Sequence, residues 1–393
     1  MILIDQPCVG ERDGRAILSA SFTSDTANGT LWFAVDAALG RHFDSAAIDP
    51  FVVALLPLSL RTGEAIQAAG TLSARLLFDL TTQLGPLVGQ LGIGVPFARI
   101  TAARAVEYPT AAPGAAVATG FSGGIDSFCI LSDHLGDAAP LGHRVTHLVC
   151  NNVGAFGHDG TATFHARLPL LHETARELGL SLLAVDSNLA EVLGLPSFPR
   201  DHEFRNVAAV LALQSLVGTY LYASAYRFAD CFERRSDICF AHWDPLILPL
   251  LSTERLRVVP VGSQYSRVEK TARIASFRPA HRHLNVCVRD RSVRNCSTCW
   301  KCVRTMLTLE LLGRLQDFHE VFDLQVYARV RSHFIVEMLR SEDPLWREIC
   351  ALARARHYRV PPVLRLAAIM PPAVLRTARR TLPRGFKQAI ARR

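Results

Sequence analysis

The spacing of hydrophobic and polar positions changes twice along the chain. Early on, Ile17-Leu-Ser-Ala-Ser-Phe22 and Thr30-Leu-Trp-Phe-Ala-Val35 read as strands, with Ala65–Ala69 as a weaker strand candidate. Ser73–Leu84 carries helical apolar spacing, and Ile100–Tyr108 reads as another strand. These elements predict an α+β domain over residues 1–112, closed by the turn-forming Pro109-Thr-Ala-Ala-Pro-Gly114. Strand and helix then alternate. The strands fall at Val117–Phe121, Val145–Cys150, Ser181–Val185 and Tyr220–Ala225, and the helices at Asp126–Leu135, Ala166–Leu178 and Val207–Leu216. That order predicts a Rossmann-like parallel sheet with helices on both faces, whose ligands bind at the carboxyl ends of the strands. After residue 310 the spacing is helical, over Phe318–Phe334, Ile335–Leu352 and Val374–Ala391, with Pro361-Pro362 and Pro371-Pro372 as breaks. The chain divides into residues 1–112, 113–312 and 313–393, the last a helical C-terminal extension.

Composition narrows the class. With 49% hydrophobic and 20% charged residues over 393 positions, the chain is globular rather than disordered. Met1-Ile-Leu-Ile-Asp5 has no basic leader, and no apolar run approaches the roughly 20 residues of a spanning helix, so a cytoplasmic protein without a membrane span is expected. Net charge is +8, yet residues 351–393 hold eleven Lys/Arg and no acid, leaving −3 for the remainder. This basic tail suits nucleic acid or an anionic membrane as well as it suits a solvated surface helix. Only three of the 43 basic residues are lysines, Lys270, Lys301 and Lys387, and the first two fall in candidate motifs. A compact ammonium is favoured at such places over a guanidinium.

The strongest local motif is Ser122-Gly-Gly-Ile-Asp-Ser127. A strand, a glycine turn and a helix start present unpaired N–H groups and a favourable helix dipole to an anion. Gly123 and Gly124 let the backbone approach a phosphate, and Ser122 and Ser127 add hydroxyls. Asp126 reads as a helix cap or as a ligand to Mg²⁺. The turn lacks the Gly-Lys-Ser/Thr ending of one phosphate-binding loop and the Gly-x-Gly-x-x-Gly of the dinucleotide fold. A second motif gathers Cys287, Cys296, Cys299 and Cys302 within sixteen positions. Four thiolates at this spacing suit a closed Zn²⁺ site, with an iron–sulfur cluster as the alternative.

The Ser122–Ser127 turn resembles the SGGxDS loop of the PP-loop ATP pyrophosphatases, which hold the pyrophosphate of ATP and transfer AMP. With the cysteine spacing, the Arg205-Asn206 pair, Asp244 in His242-Trp-Asp-Pro245, Lys270 at a helix start and Arg304 after the last cysteine, residues 116 to about 312 resemble 7-cyano-7-deazaguanine synthase. The resemblance implies a PP-loop fold of HUP type and an AMP-forming C–N ligase acting on a small-molecule acid or a modified base. The nitrogen donor is not named by the sequence, and a homodimer is one option. It implies that Ser122, Gly123, Gly124, Asp126 and Ser127 hold ATP with Mg²⁺, and that Asp126, Lys270, Arg205 and Asp244 serve catalysis. The large N-terminal segment and the long C-terminal extension depart from that family, and the aspartate loop matches it only loosely. The chain therefore reads as a divergent branch with an open choice of acceptor.

Alternatives stand beside each assignment. Lys270 and Arg205 also fit surface ion pairs, Asp244 a turn, and Asn206 a helix cap. His158 lies on the rim of the second strand, and His281 and His283 read as surface residues because four cysteines complete a metal site. Cys129 and Cys150 would be needed as sulfur carriers if the protein were a PP-loop thiolation enzyme, but their apolar setting reads as buried and inert. A zinc-stapled nucleic-acid-binding protein using the basic tail is the third, less favoured reading.

Overall fold

The alternation at residues 16–22 becomes a strand in which Ala16, Leu18, Ala20 and Phe22 are all buried. A computed structural model of the chain describes residues 1–92, 99–112, 114–137, 139–155, 160–194, 198–231, 239–289 and 293–370. Among them, eleven strands form one mixed sheet: β1 (Ile2–Ile4), β2 (Cys8–Arg12), β3 (Arg15–Thr23), β4 (Asn28–Asp36), β5 (Ile66–Ser73), β6 (Ile100–Val106), β7 (Ala116–Gly120), β8 (His147–Asn151), β9 (Ser181–Ser187), β10 (Val217–Ala223) and β11 (Arg257–Val261). Their order is β11-β10-β7-β8-β9-β4-β3-β1-β5-β6, with β2 paired to β3 outside this path.

From β11 to β9 every pairing is parallel. The chain steps from β7 outward through β8 and β9, then returns to the other side of β7 as β10 and β11. The strand order therefore reverses between β7 and β10, the point at which open parallel sheets bind their ligands. The Ser122 turn is the connection that leaves β7 there.

By contact the chain forms two compact units, residues 1–122 with 133–264, and residues 123–132 with 265–393. Residue 112, the expected domain boundary, lies inside the first unit. The reason is β4, which pairs antiparallel with β9 through Phe33–Ser187 and Ala34–Asp186. Arg15 reinforces the join with a 2.7 Å ion pair to Asp186. Without β4, the β9 edge would present open backbone groups to any other strand.

Sequence periodicity misses the central helix of this unit, Asp49–Thr62. Asp49 through Leu60 are all buried, so no polar stripe marks a helical period, and Pro57 argues locally against a helix. It packs against Phe198–Leu211, another largely buried helix. Asp49 is a carboxyl inside this core, accepting hydrogen bonds from the Ser73 N–H at 2.8 Å and from Tyr108 and Gln214 at 3.1 Å. Burial outweighs those bonds and pushes its pKa up to about 6. An unfolded aspartate titrates near 3.9, so folding favours the protonated form. This contribution to stability is fully present below pH ~4 and lost as the pH rises to about 6. Asp49→Asn should flatten that segment of the pH–stability profile by on the order of 2–3 kcal/mol, read from urea midpoints at pH 4 and pH 7.

The second unit is helical. Its core joins Leu307 and Leu311 to Ile335, Met338, Trp346 and Leu364. The expected helix boundary at residue 335 is absent, and Leu324–Arg340 runs straight through it. The break comes later, where Asp343 accepts from the Leu345 N–H and Pro344 starts the helix Pro344–Ala355. Residues Ala353, Val360, Leu364 and Ala367 are buried in this core, so the first half of the basic segment is structural. The expected helix 374–391 lies outside the described residues. No helix among the described residues is long and apolar enough to cross a membrane.

Candidate functional site

The glycine turn, Lys270 and the cysteine cluster all fall in the second unit. Gly123 adopts φ +74°, a conformation that glycine takes without strain. The Asn285 N–H donates to its carbonyl at 2.7 Å, which pins the turn. The helix that follows spans Ile125–His134, and its first bond runs from the Phe128 N–H to the Gly124 carbonyl. N–H groups ahead of Phe128 have no intrahelical acceptor and face the turn. Ser127 is buried and donates its hydroxyl to the Gly124 carbonyl at 3.0 Å, whereas Ser122, at the end of the first unit, is exposed.

Asp126 lies in the first turn of that helix, where it meets two cations. Lys270 Nζ donates to Oδ1 at 2.9 Å and Arg267 Nη1 to Oδ2 at 2.7 Å. Burial alone would raise this carboxyl, but the two positive charges prevail and hold it down at about 2. Asp126 is therefore an anion at neutral pH, with each oxygen bound to a cation. Lys270 itself is only 1% exposed. Both cations come from one helix, Arg267–Ile274, where positions three apart share a face. Ser266 and Glu269 close a capping box at its start: the Glu269 N–H donates to Ser266 Oγ, and the Ser266 N–H to Glu269 Oε2. The helix starts earlier than the sequence reading places it, and this Ser-x-x-Glu signal was available to locate it.

Two further cations act on the same group. Burial lowers Lys301, Arg267 lowers it further, and Asp126 works the other way. Arg304 is held at about 10 by burial and by Arg267, against the pull of Asp343, Glu348 and Asp126. Both belong to the helix Trp300–Leu311 and pack over the Trp300 ring, at 5.4 Å and 4.7 Å. Thus Lys270 and Lys301, the two lysines of the described residues, act on one carboxylate. Sequence reasoning missed Arg267 and gave Lys301 no role.

The cysteines lie at the head of this second helix. The sulfurs of Cys287, Cys296, Cys299 and Cys302 all lie within 4.8 Å of one another, and those of Cys296 and Cys302 are 4.0 Å apart. A tetrahedral zinc with bonds of about 2.3 Å sets its sulfurs about 3.8 Å apart. The four thiols can hold a metal ion such as zinc. Ser297 at φ +55° turns the knuckle so that the Cys299 N–H donates to the Cys296 sulfur at 3.2 Å. Cys299 is the residue preceding the helix and Cys302 lies in its first turn. Cys287 comes from an irregular segment. A hydrogen bond from Cys302 lowers the Cys299 thiol.

Arg205 and Asp244 lie in the first unit. Arg205 is fully buried and grips Asp201 with two nitrogens, at 2.7 and 3.1 Å. It also donates to the carbonyls of Val153 and Gly194. This is neither a surface ion pair nor an exposed cation, and its donors hold loops together. The Arg-Asn pair does not open a helix: Arg205 and Asn206 lie inside Phe198–Leu211, and Asn206 bonds Asn151 and the His202 carbonyl instead of capping. Arg205→Met should destabilise the fold by about 3–5 kcal/mol, because it leaves Asp201 buried without its partner. Thermal denaturation will measure this, and an unchanged midpoint would rule the clamp out.

Asp244 begins the short helix Asp244–Ile247 and is 1% exposed, near enough to Glu203 to raise that carboxyl. His281 is half-buried, its Nε2 2.9 Å from the Ala275 carbonyl and its ring against Phe318. His158 lies outside the described residues. Cys129 and Cys150 are buried, and burial pushes the Cys150 thiol up to about 12. No protein-family model, curated protein or solved structure matches this chain.

Proposed function

We propose that the chain is an AMP-forming, ATP-dependent ligase of PP-loop type that makes a C–N bond on a carboxylate or a modified base. The observation that carries this reading is the pairing of Lys270 and Arg267 with Asp126 at a helix start behind a glycine turn, with Lys301 and Arg304 in electrostatic reach. Closely set cations repel one another, and a polyphosphate relieves that repulsion better than one carboxylate does.

In the first step an oxygen of the acceptor attacks the α-phosphorus of ATP, the bond to the bridging oxygen breaks, and pyrophosphate leaves. A nitrogen nucleophile then displaces AMP. Negative charge builds on phosphate oxygens in both steps, so the preorganised cations and the N–H groups around Gly123 and Gly124 are the catalytic assets. Lys270 and Arg267 exchange part of their contact with Asp126 for pyrophosphate oxygens. Asp126 is the residue that would hold Mg²⁺, which would supply charge neutralisation to the phosphates. The four cysteines would hold Zn²⁺, which would fix the head of the helix that carries Lys301 and Arg304.

Nitrogen is preferred to sulfur as the nucleophile because Cys129 and Cys150 are buried thiols, Cys150 with a raised pKa. Incubating the protein with ATP, amines and a panel of carboxylates and modified bases, then resolving the nucleotides by mass spectrometry, tests the reading. AMP and pyrophosphate are expected; ADP as the sole product would overturn it.

A further inference from the structure

We propose a second metal site in the first unit, formed by His202, Glu203 and Cys239 and selective for a divalent transition ion such as Zn²⁺. One donor atom from each residue lies within 4.8 Å of the other two. His202 Nε2 and Glu203 Oε1 are already 3.3 Å apart. Tetrahedral zinc with bonds of about 2.0–2.3 Å asks for neighbouring donors about 3.3–3.8 Å apart, so a small closure of the third ligand completes the geometry.

Glu203 is the independent pointer to a ligand. It is 0% exposed, and beyond the His202 ring, whose Nε2 lies 3.3 Å from Oε1, no donor among the described residues approaches its carboxylate oxygens. A buried carboxyl without a donor is costly, and a bound cation removes that cost. Among the described residues no arginine or lysine pairs with it: Arg205, on the same helix, grips Asp201 instead. The neighbouring charges among the described residues, Asp244 and Asp201, are negative.

His202 is prepared in the usual manner of metal-bound imidazoles. Its Nδ1 lies 2.8 Å from the Tyr222 hydroxyl, which leaves Nε2 toward Glu203. A nitrogen, an oxygen and a sulfur donor together favour zinc over magnesium or calcium. Three protein ligands leave a position for an outside donor atom. Tyr222 is the penultimate residue of β10, so the site lies at the carboxyl end of the strand beside β7.

Metal content of the purified full-length chain is the test. Dialysed against micromolar Zn²⁺, the wild-type protein should hold two ions per chain. Glu203→Gln and Cys239→Ser should each hold one, as should Cys299→Ser through loss of the other site. Full metal content in both Glu203→Gln and Cys239→Ser would overturn the proposal. Should these variants fail to fold, Tyr222→Phe decides. Titrated with Zn²⁺ after chelation, it should bind one equivalent about 10–100-fold more weakly than the wild type and the other unchanged. Wild-type affinity for both equivalents would overturn the site.

Discussion

Lys270→Met is expected to lower ATP–pyrophosphate exchange by about 10²–10³-fold, the scale of losing one preorganised donor to developing negative charge. The fold should survive, because Asp126 keeps its 2.7 Å bond to Arg267 and methionine fills the buried path of the lysine stem. A circular-dichroism melting curve separates loss of chemistry from loss of structure. Exchange within a few-fold of wild type, in a protein that melts normally, would remove Lys270 from the machinery.

Stripping metal from the cysteine knuckle, by chelation or by Cys299→Ser, should be as damaging by a different route. Structural zinc supplies folding energy directly, and losing several kcal/mol lowers the melting point by about 10 °C or more in a unit of this size. Exchange should fall as well, since Cys299 and Cys302 bracket Lys301 at the head of the helix that also carries Arg304. Restoring zinc to the chelated wild-type protein should recover both properties. Recovery of stability without exchange would separate the knuckle from the chemistry.

What was legible in the sequence was local. Most strands and the glycine turn follow from period, turn residues and spacing within a dozen positions. The cysteine cluster was read the same way, and its four sulfurs do converge. What was not legible depended on distant partners. Nothing near residue 33 announces Ser187 as a neighbour. A helix buried on every side has no polar stripe to betray it, which hid Asp49–Thr62. Arg205 entered as a candidate cation through the resemblance carried by the Arg205-Asn206 pair, and only the fold reveals Asp201 and two carbonyls around it. Arg267 was overlooked for a smaller reason. The capping box at Ser266 dates the helix start, and once that start is fixed, Arg267 and Lys270 share a face.

The β4–β9 pairing has a consequence for how the chain is made. Its two partners are separated by about 150 residues of sequence, so a nascent chain displays the outer edge of β4 long before β9 is synthesised. Non-local pairings of this kind slow folding, and an unpaired edge invites other chains to add to it. Expression of residues 1–112 alone leaves that edge permanently open. The protein thus passes through a stretch of its biosynthesis in which β4 is a template waiting for a strand that only residues 181–187 supply.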